Sequence, residues 1–145
     1  MRPRRLAIFA AAALALAGGI LLPGLLAGGW SLVRVVDGDT LIVQQGRTVE
    51  RVRLLGIDAP ERGSPGYAEA GDALRRIAGS GPLRLERDPS CRERDSFGRL
   101  LRHVWRGDRL VSAELVAAGH AVVSRRYPPR LHADFLSAAQ KSSGR

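Results

Sequence analysis

The residues able to do chemistry fall in three short stretches. Asp39 lies in Val36-Asp37-Gly38-Asp39-Thr40. Arg53, Asp58 and Glu61 lie in Arg51-Val52-Arg53-Leu54-Leu55-Gly56-Ile57-Asp58-Ala59-Pro60-Glu61, and Arg99 follows Asp95-Ser96-Phe97-Gly98. Carboxylates with no nearby histidine or cysteine suit a hard cation held by oxygen, Ca²⁺ or Mg²⁺. Guanidinium groups match a phosphate with parallel donors. A cation, two guanidinium groups and a free carboxylate together make a phosphoryl-transfer site. Positive charge stabilises the phosphorane-like transition state while the carboxylate takes a proton from attacking water. Each residue alone has a plainer reading: Asp37 and Asp39 as turn formers, Asp58 and Glu61 as loop solvation, Arg99 as a solvated charge. Position favours the chemical one, because the three acids sit at strand ends within one meander.

The elements that must position them follow from patterning. Residues 31–36, 40–45 and 47–55 read as three antiparallel strands, with Asp37-Gly38 marking the first hairpin. Alternation sends Val52 and Leu54 to one side of the third strand and Arg51 and Arg53 to the other. Gly56 and Pro60 break that run, so Asp58 and Glu61 are expected on a loop at the strand's end. Residues 65–78 read as a helix with Ala70, Ala73, Leu74 and Ile77 on one face. A fourth strand over 83–87, a charged loop over 88–99 and a fifth strand over 100–105 come next. Residues 110–118 read as a short helix and 131–141 as a last one. Three strands, a helix, two strands and trailing helices is the order of the OB-fold, a five-stranded, partly open β-barrel. The expected class is therefore α+β, a five-stranded barrel with about three helices. Fold alone does not fix function.

The first 29 residues stand apart from this domain, which spans 30–145. Three arginines in Met1–Arg5 precede an uncharged apolar stretch over 6–29. This is the pattern of a signal peptide, with Ala27, Gly28 and Gly29 as small residues before a cleavage point, or of an uncleaved membrane anchor forming an apolar leader helix. Either way the domain is expected outside the cytoplasm, secreted or anchored through residues 6–29. The whole chain carries 23 Lys and Arg against 14 Asp and Glu, a net charge of +9. A basic, arginine-rich surface favours polyanions. One cysteine, Cys91, excludes an internal disulfide and a cysteine-based zinc site. His103, His120 and His132 follow no zinc spacing and read as structural or surface residues. The domain is large enough to bury its own core without staples, and a monomer is expected.

Taken together, the three stretches resemble the staphylococcal nuclease (thermonuclease) family, in order and in spacing, over about residues 30–140. That resemblance implies Asp39 and Asp58 as side-chain ligands of Ca²⁺, with the Ala59 carbonyl completing the protein's share. It implies Glu61 as general base, and Arg53 and Arg99 as catalytic, phosphate-binding arginines. The implied reaction is hydrolysis of DNA and RNA phosphodiesters at the bond to the 5′ oxygen, with little sequence preference and single strands favoured. Two departures stand out. Phe97 replaces the family's usual tyrosine, and Arg125 stands where one of two nucleotide-contacting tyrosines would be, the other matching Tyr127 as a substrate-binding residue. The last helix also ends early. The alternative is an OB-fold module that binds single-stranded nucleic acid without cutting it.

Overall fold

The computed structural model describes residues 28–124, together with Ser137. The apolar leader over 1–27, Arg125, Tyr127, His132 and, apart from Ser137, the helix expected over 131–141 lie outside the described residues. Three antiparallel strands, β1 (Ser31–Asp37), β2 (Thr40–Gln45) and β3 (Thr48–Leu54), form the expected meander. Gly56 turns the chain into a two-residue strand, β4 (Ile57–Asp58), and helix α1 (Tyr67–Ala78) follows. Next come β5 (Arg84–Glu86), β6 (Leu100–Arg106), β7 (Arg109–Leu110), helix α2 (Val111–Ala117) and β8 (Val122–Val123).

The main sheet runs β1-β2-β3-β6-β5, with β3 and β6 parallel and the other pairs antiparallel. Trp30 then bridges Leu83 through two backbone hydrogen bonds of 2.9 and 2.7 Å, joining the start of β1 to the start of β5. The sheet thus closes on itself, which removes the unpaired edges a meander would leave. Two helices and this mixed sheet fit the α+β OB-fold expected. A brief extended segment read at residues 121–123 is β8, while β4 and β7 went unforeseen, because two-residue pairings leave no alternation to read.

Alternation builds the interior. Leu41 and Val43 of β2, Val52 and Leu54 of β3, and Leu100 and Val104 of β6 are buried, with Leu74 of α1 and Leu115 of α2 packed over them. The expected inner face of α1 is found in Ala70, Ala73 and Leu74. A Cβ on Gly38 would lie 2.6 Å from the Cβ atoms of both Ala59 and Ala70. The Asp-Gly hairpin therefore forms, but its glycine does not take positive φ. It is small so that α1 and the loop after β4 can close over the hairpin tip.

His103 is fully buried on β6, with Nε2 3.2 Å from Asp88 Oδ2, whose side chain is equally buried. Burial holds its pKa below the ordinary histidine value, against the pull of Asp88 in the other direction. It is a core residue, in keeping with its reading as structural.

Candidate active site

The outward face of β3 supplies the centre of the site. Val52 and Leu54 point inward, so Arg53 faces out and lies half-buried at the strand's end. Its guanidinium is held on several sides. Nη1 donates to the carbonyl oxygens of Leu54 at 2.6 Å and Ile57 at 2.9 Å. Nη2 lies 2.7 Å from Asp58 Oδ1 and 3.2 Å from Asp39 Oδ2. One nitrogen thus stands beside both carboxylates, which come from segments 19 residues apart.

Asp39 occupies the tip of the β1–β2 hairpin, and its acceptors are saturated in stages. Oδ2 also accepts the backbone N–H of Ala59 at 3.0 Å, and Oδ1 accepts the Thr40 hydroxyl at 3.0 Å. Asp37 Oδ1 accepts the Asp39 N–H at 3.1 Å, a local bond that shapes the tip. Burial is the largest influence on Asp39 and lifts its pKa above the ordinary carboxylate value, with Asp37 adding to the rise. Arg53, Ala59 N–H and Thr40 oppose this without cancelling it.

Asp58 was expected on a loop and lies instead on β4, paired with Val122 of β8. That ladder fixes the backbone from which Asp58, the Ala59 carbonyl and Glu61 depart. The side chain of Asp58 remains 46% exposed, and Glu61 lies exposed just beyond Pro60. Glu61 anchors its own turn, its carbonyl accepting Ser64 N–H at 2.9 Å.

Arg99 is set by the turn before it. Asp95 Oδ1 accepts the N–H groups of Phe97 at 3.0 Å and Arg99 at 2.9 Å, while Oδ2 accepts Arg99 Nε at 2.7 Å. Gly98 takes φ 76°, which lets the turn close. Burial pushes the Asp95 carboxyl up, but the bonds from Arg99 and from the two backbone N–H groups outweigh it and leave the pKa below its ordinary value. From this anchor the Arg99 side chain reaches Thr40, where Nη1 donates to the hydroxyl at 3.1 Å. The exposed ring of Phe97 lies 5.5 Å from the guanidinium carbon.

One cleft of about 820 Å³ gathers these groups: Asp39, Arg53, Asp58, Ala59, Glu61 and Arg99 all line it. Of the site residues named from sequence, only Tyr127 is missing from this set, because it lies outside the described residues. Sequence reasoning missed three supports. Thr40 bonds both Asp39 and Arg99. Asp95 carried a signal, since an aspartate opening a turn commonly accepts the N–H two residues on. The third is a clamp in which Arg94 makes a two-pronged bond of 2.9 and 2.8 Å to Glu50 on β3 and donates to the Gly98 carbonyl at 2.9 Å. It fastens the Arg99 turn to the strand that carries Arg53, across 44 residues of sequence.

Comparison with known proteins gives the family of the chain. A family model described as staphylococcal nuclease homologue matches residues 51–144. The thermonuclease of Staphylococcus hyicus is 31% identical over 120 residues, which cover 79% of this chain and 70% of that protein. The thermonuclease of Staphylococcus intermedius is 38% identical over 102 residues, 66% of this chain and 59% of that one. The SPbeta prophage-derived endonuclease YokF of Bacillus subtilis is 40% identical over 107 residues, 68% of this chain but only 35% of YokF. The chain thus spans less than two thirds of the length of the latter two. On the family match and on these identities, this chain belongs to the staphylococcal nuclease homologue family.

Proposed function

We propose that this protein is a metal-dependent nuclease that hydrolyses phosphodiester bonds of DNA, RNA or both. The observation that carries the reading is the convergence of two arginines, two aspartates and a free glutamate in one cleft. The two thermonuclease relatives and the endonuclease YokF support it by their names.

The donor set fits a hard divalent cation, and Ca²⁺ is the ion proposed. Asp39 and Asp58 offer carboxylate oxygens beside the same Arg53 nitrogen. Ala59 adds a main-chain carbonyl. Among the described residues no cluster of three or more acidic, histidine or cysteine side chains assembles. The proposed share of the protein is two carboxylates and one carbonyl, which would leave a cation positions for water and phosphate oxygen. When bound, such an ion adds positive charge next to the phosphate and lowers the pKa of water.

The chain's own residues divide the remaining work. Arg53 and Arg99 orient the phosphate and neutralise charge that grows on its oxygens in the transition state. Among the described residues, Nη2 of Arg99 bonds to none, so one edge of its fork is available to substrate. Glu61, exposed and free of ion pairs among the described residues, takes a proton from water as the water oxygen bonds to phosphorus. The bond from phosphorus to the 5′ oxygen breaks, and that oxygen leaves with a proton from solvent. These contacts go to phosphate, which carries no base identity, so little sequence preference is proposed. Tyr127 is proposed as a further nucleotide contact, single strands as the favoured form, and a monomer outside the cytoplasm, secreted or tethered through residues 6–29, as the working state.

Incubating the purified protein with a single-stranded oligonucleotide tests this directly. Cleavage with Ca²⁺, its loss in EDTA and its return on adding Ca²⁺ are expected. Retention of an uncut oligonucleotide under all three conditions replaces the reading with that of a binding module.

A further inference from the structure

Arg53 pairs with Asp39 and Asp58, and Arg99 with Asp95, but Arg51 pairs with no acid among the described residues. It lies exposed on β3 and lines the same cleft. Among the described residues it forms no ion pair and no hydrogen bond from its side chain. Its neighbour Glu50 does not serve it, because alternation turns Glu50 to the other face and Arg94 occupies both its oxygens.

Register puts Arg51 in basic company. Two residues along β3 stands Arg53, on the same face and about 6.8 Å away by the rise of a strand. The parallel pairing of Val52 with Leu100, continued one residue back, sets Arg51 beside Arg99. The Arg99 side chain then crosses β3 to reach Thr40, whose register partner is Arg53. Three guanidinium groups therefore share a small patch, and one of them has no counter-charge. Asp39, Asp58 and Asp95 already pair Arg53 and Arg99, which leaves Arg51 without an ion pair among the described residues and open to an incoming anion. A polynucleotide supplies anions at regular intervals: its repeat from phosphate to phosphate contains as many backbone bonds as two amino-acid residues, so the two spacings are of the same order.

We propose that Arg51 forms a second phosphate subsite, one nucleotide along from the phosphate held by Arg53 and Arg99, and that the ligand is a single-stranded polynucleotide lying along the outer face of β3. This rests on the nuclease reading above for the identity of the first phosphate. It makes Arg51 a residue that selects chain length, favouring a polymer over a single phosphodiester.

The test compares wild type, Arg51→Gln and Arg51→Lys as full chains on two substrates. One is a dinucleotide, which carries a single phosphodiester; the other is an oligothymidylate several nucleotides long. For Arg51→Gln the oligomer-to-dinucleotide ratio of kcat/KM falls several-fold, mainly through the KM for the oligomer. The slope of log(kcat/KM) against log salt on the oligomer becomes shallower by about 0.7, the share of one phosphate contact on a single strand. Arg51→Lys keeps the charge and restores the slope. An unmoved ratio and slope in Arg51→Gln overturn the subsite, and an equal loss on both substrates assigns Arg51 to the first phosphate instead. If the wild type cuts neither substrate, the nuclease reading has failed by itself. Fluorescence anisotropy of the labelled oligomer in EDTA then decides the subsite separately: it stands if the slope difference persists in binding and falls if it does not.

Discussion

The hydroxyl of Thr40 joins the two halves of the site, accepting Arg99 Nη1 at 3.1 Å while donating to Asp39 Oδ1 at 3.0 Å. Thr40 is fully buried on β2, so this link is shielded from water. The guanidinium and the carboxylate are thereby oriented by one oxygen.

Thr40→Val keeps the shape and removes both bonds. Because one buried hydrogen bond to a charged group contributes about 1.5–3 kcal/mol, a fall in kcat of roughly 10-fold or more is expected. Thr40→Ser, which retains the hydroxyl, is expected to recover most of it. Steady-state kinetics on one oligonucleotide check both, and wild-type kcat in the valine variant rules out positioning through Thr40.

Glu61 has no structural bond from its side chain among the described residues, so its replacement isolates chemistry from folding. Glu61→Gln is expected to keep the wild-type melting temperature and to lose about 10²–10⁴ in turnover, the usual contribution of a general base. Full digestion by this variant at the wild-type rate dismisses the role given to Glu61.

Gly38 is where the hairpin tip, Ala59 and α1 meet. An added Cβ stands 2.6 Å from two other Cβ atoms, a contact that something must yield to. Overpacking of this kind costs about 1–3 kcal/mol, and Ala59 carries the N–H bonded to Asp39. Gly38→Ala is therefore expected to lower both the urea midpoint and kcat. An unchanged midpoint means the helix has room to retreat.

The buried pair of His103 and Asp88 sets an acid limit on stability. Burial depresses the folded-state pKa of His103, so the folded protein holds it neutral while the unfolded chain takes up a proton first as pH falls. Its contribution is present in full above the ordinary histidine value and is lost as pH falls from that value through the depressed folded-state one. His103→Gln is expected to be less stable at neutral pH but to show a flatter decline over that range. Urea unfolding at stepped pH reads the difference, and parallel declines exclude His103 as its source.

Much of this was legible in the residues themselves. The third strand alternates, so the inward Val52 and Leu54 and the outward Arg51 and Arg53 follow from a period of two, whereas β1 pairs with β2 through two register shifts that no local pattern announces. The three charged motifs likewise suggested a phosphoryl-transfer site, since carboxylates can hold a hard cation and guanidinium groups match phosphate. What neighbouring residues could not disclose was contact between distant ones. The parallel pairing of β3 with β6 puts Arg99 next to a strand formed some 50 residues earlier, and only that pairing lets it touch Thr40. Asp58 became part of a strand because β8 came to pair with it, and Gly38 proved necessary for the nearness of Ala70 rather than for its own dihedral angle. Local pattern is set by the chemistry of adjacent side chains; which segments meet is set by closing the sheet around one buried core, and that depends on the whole chain at once.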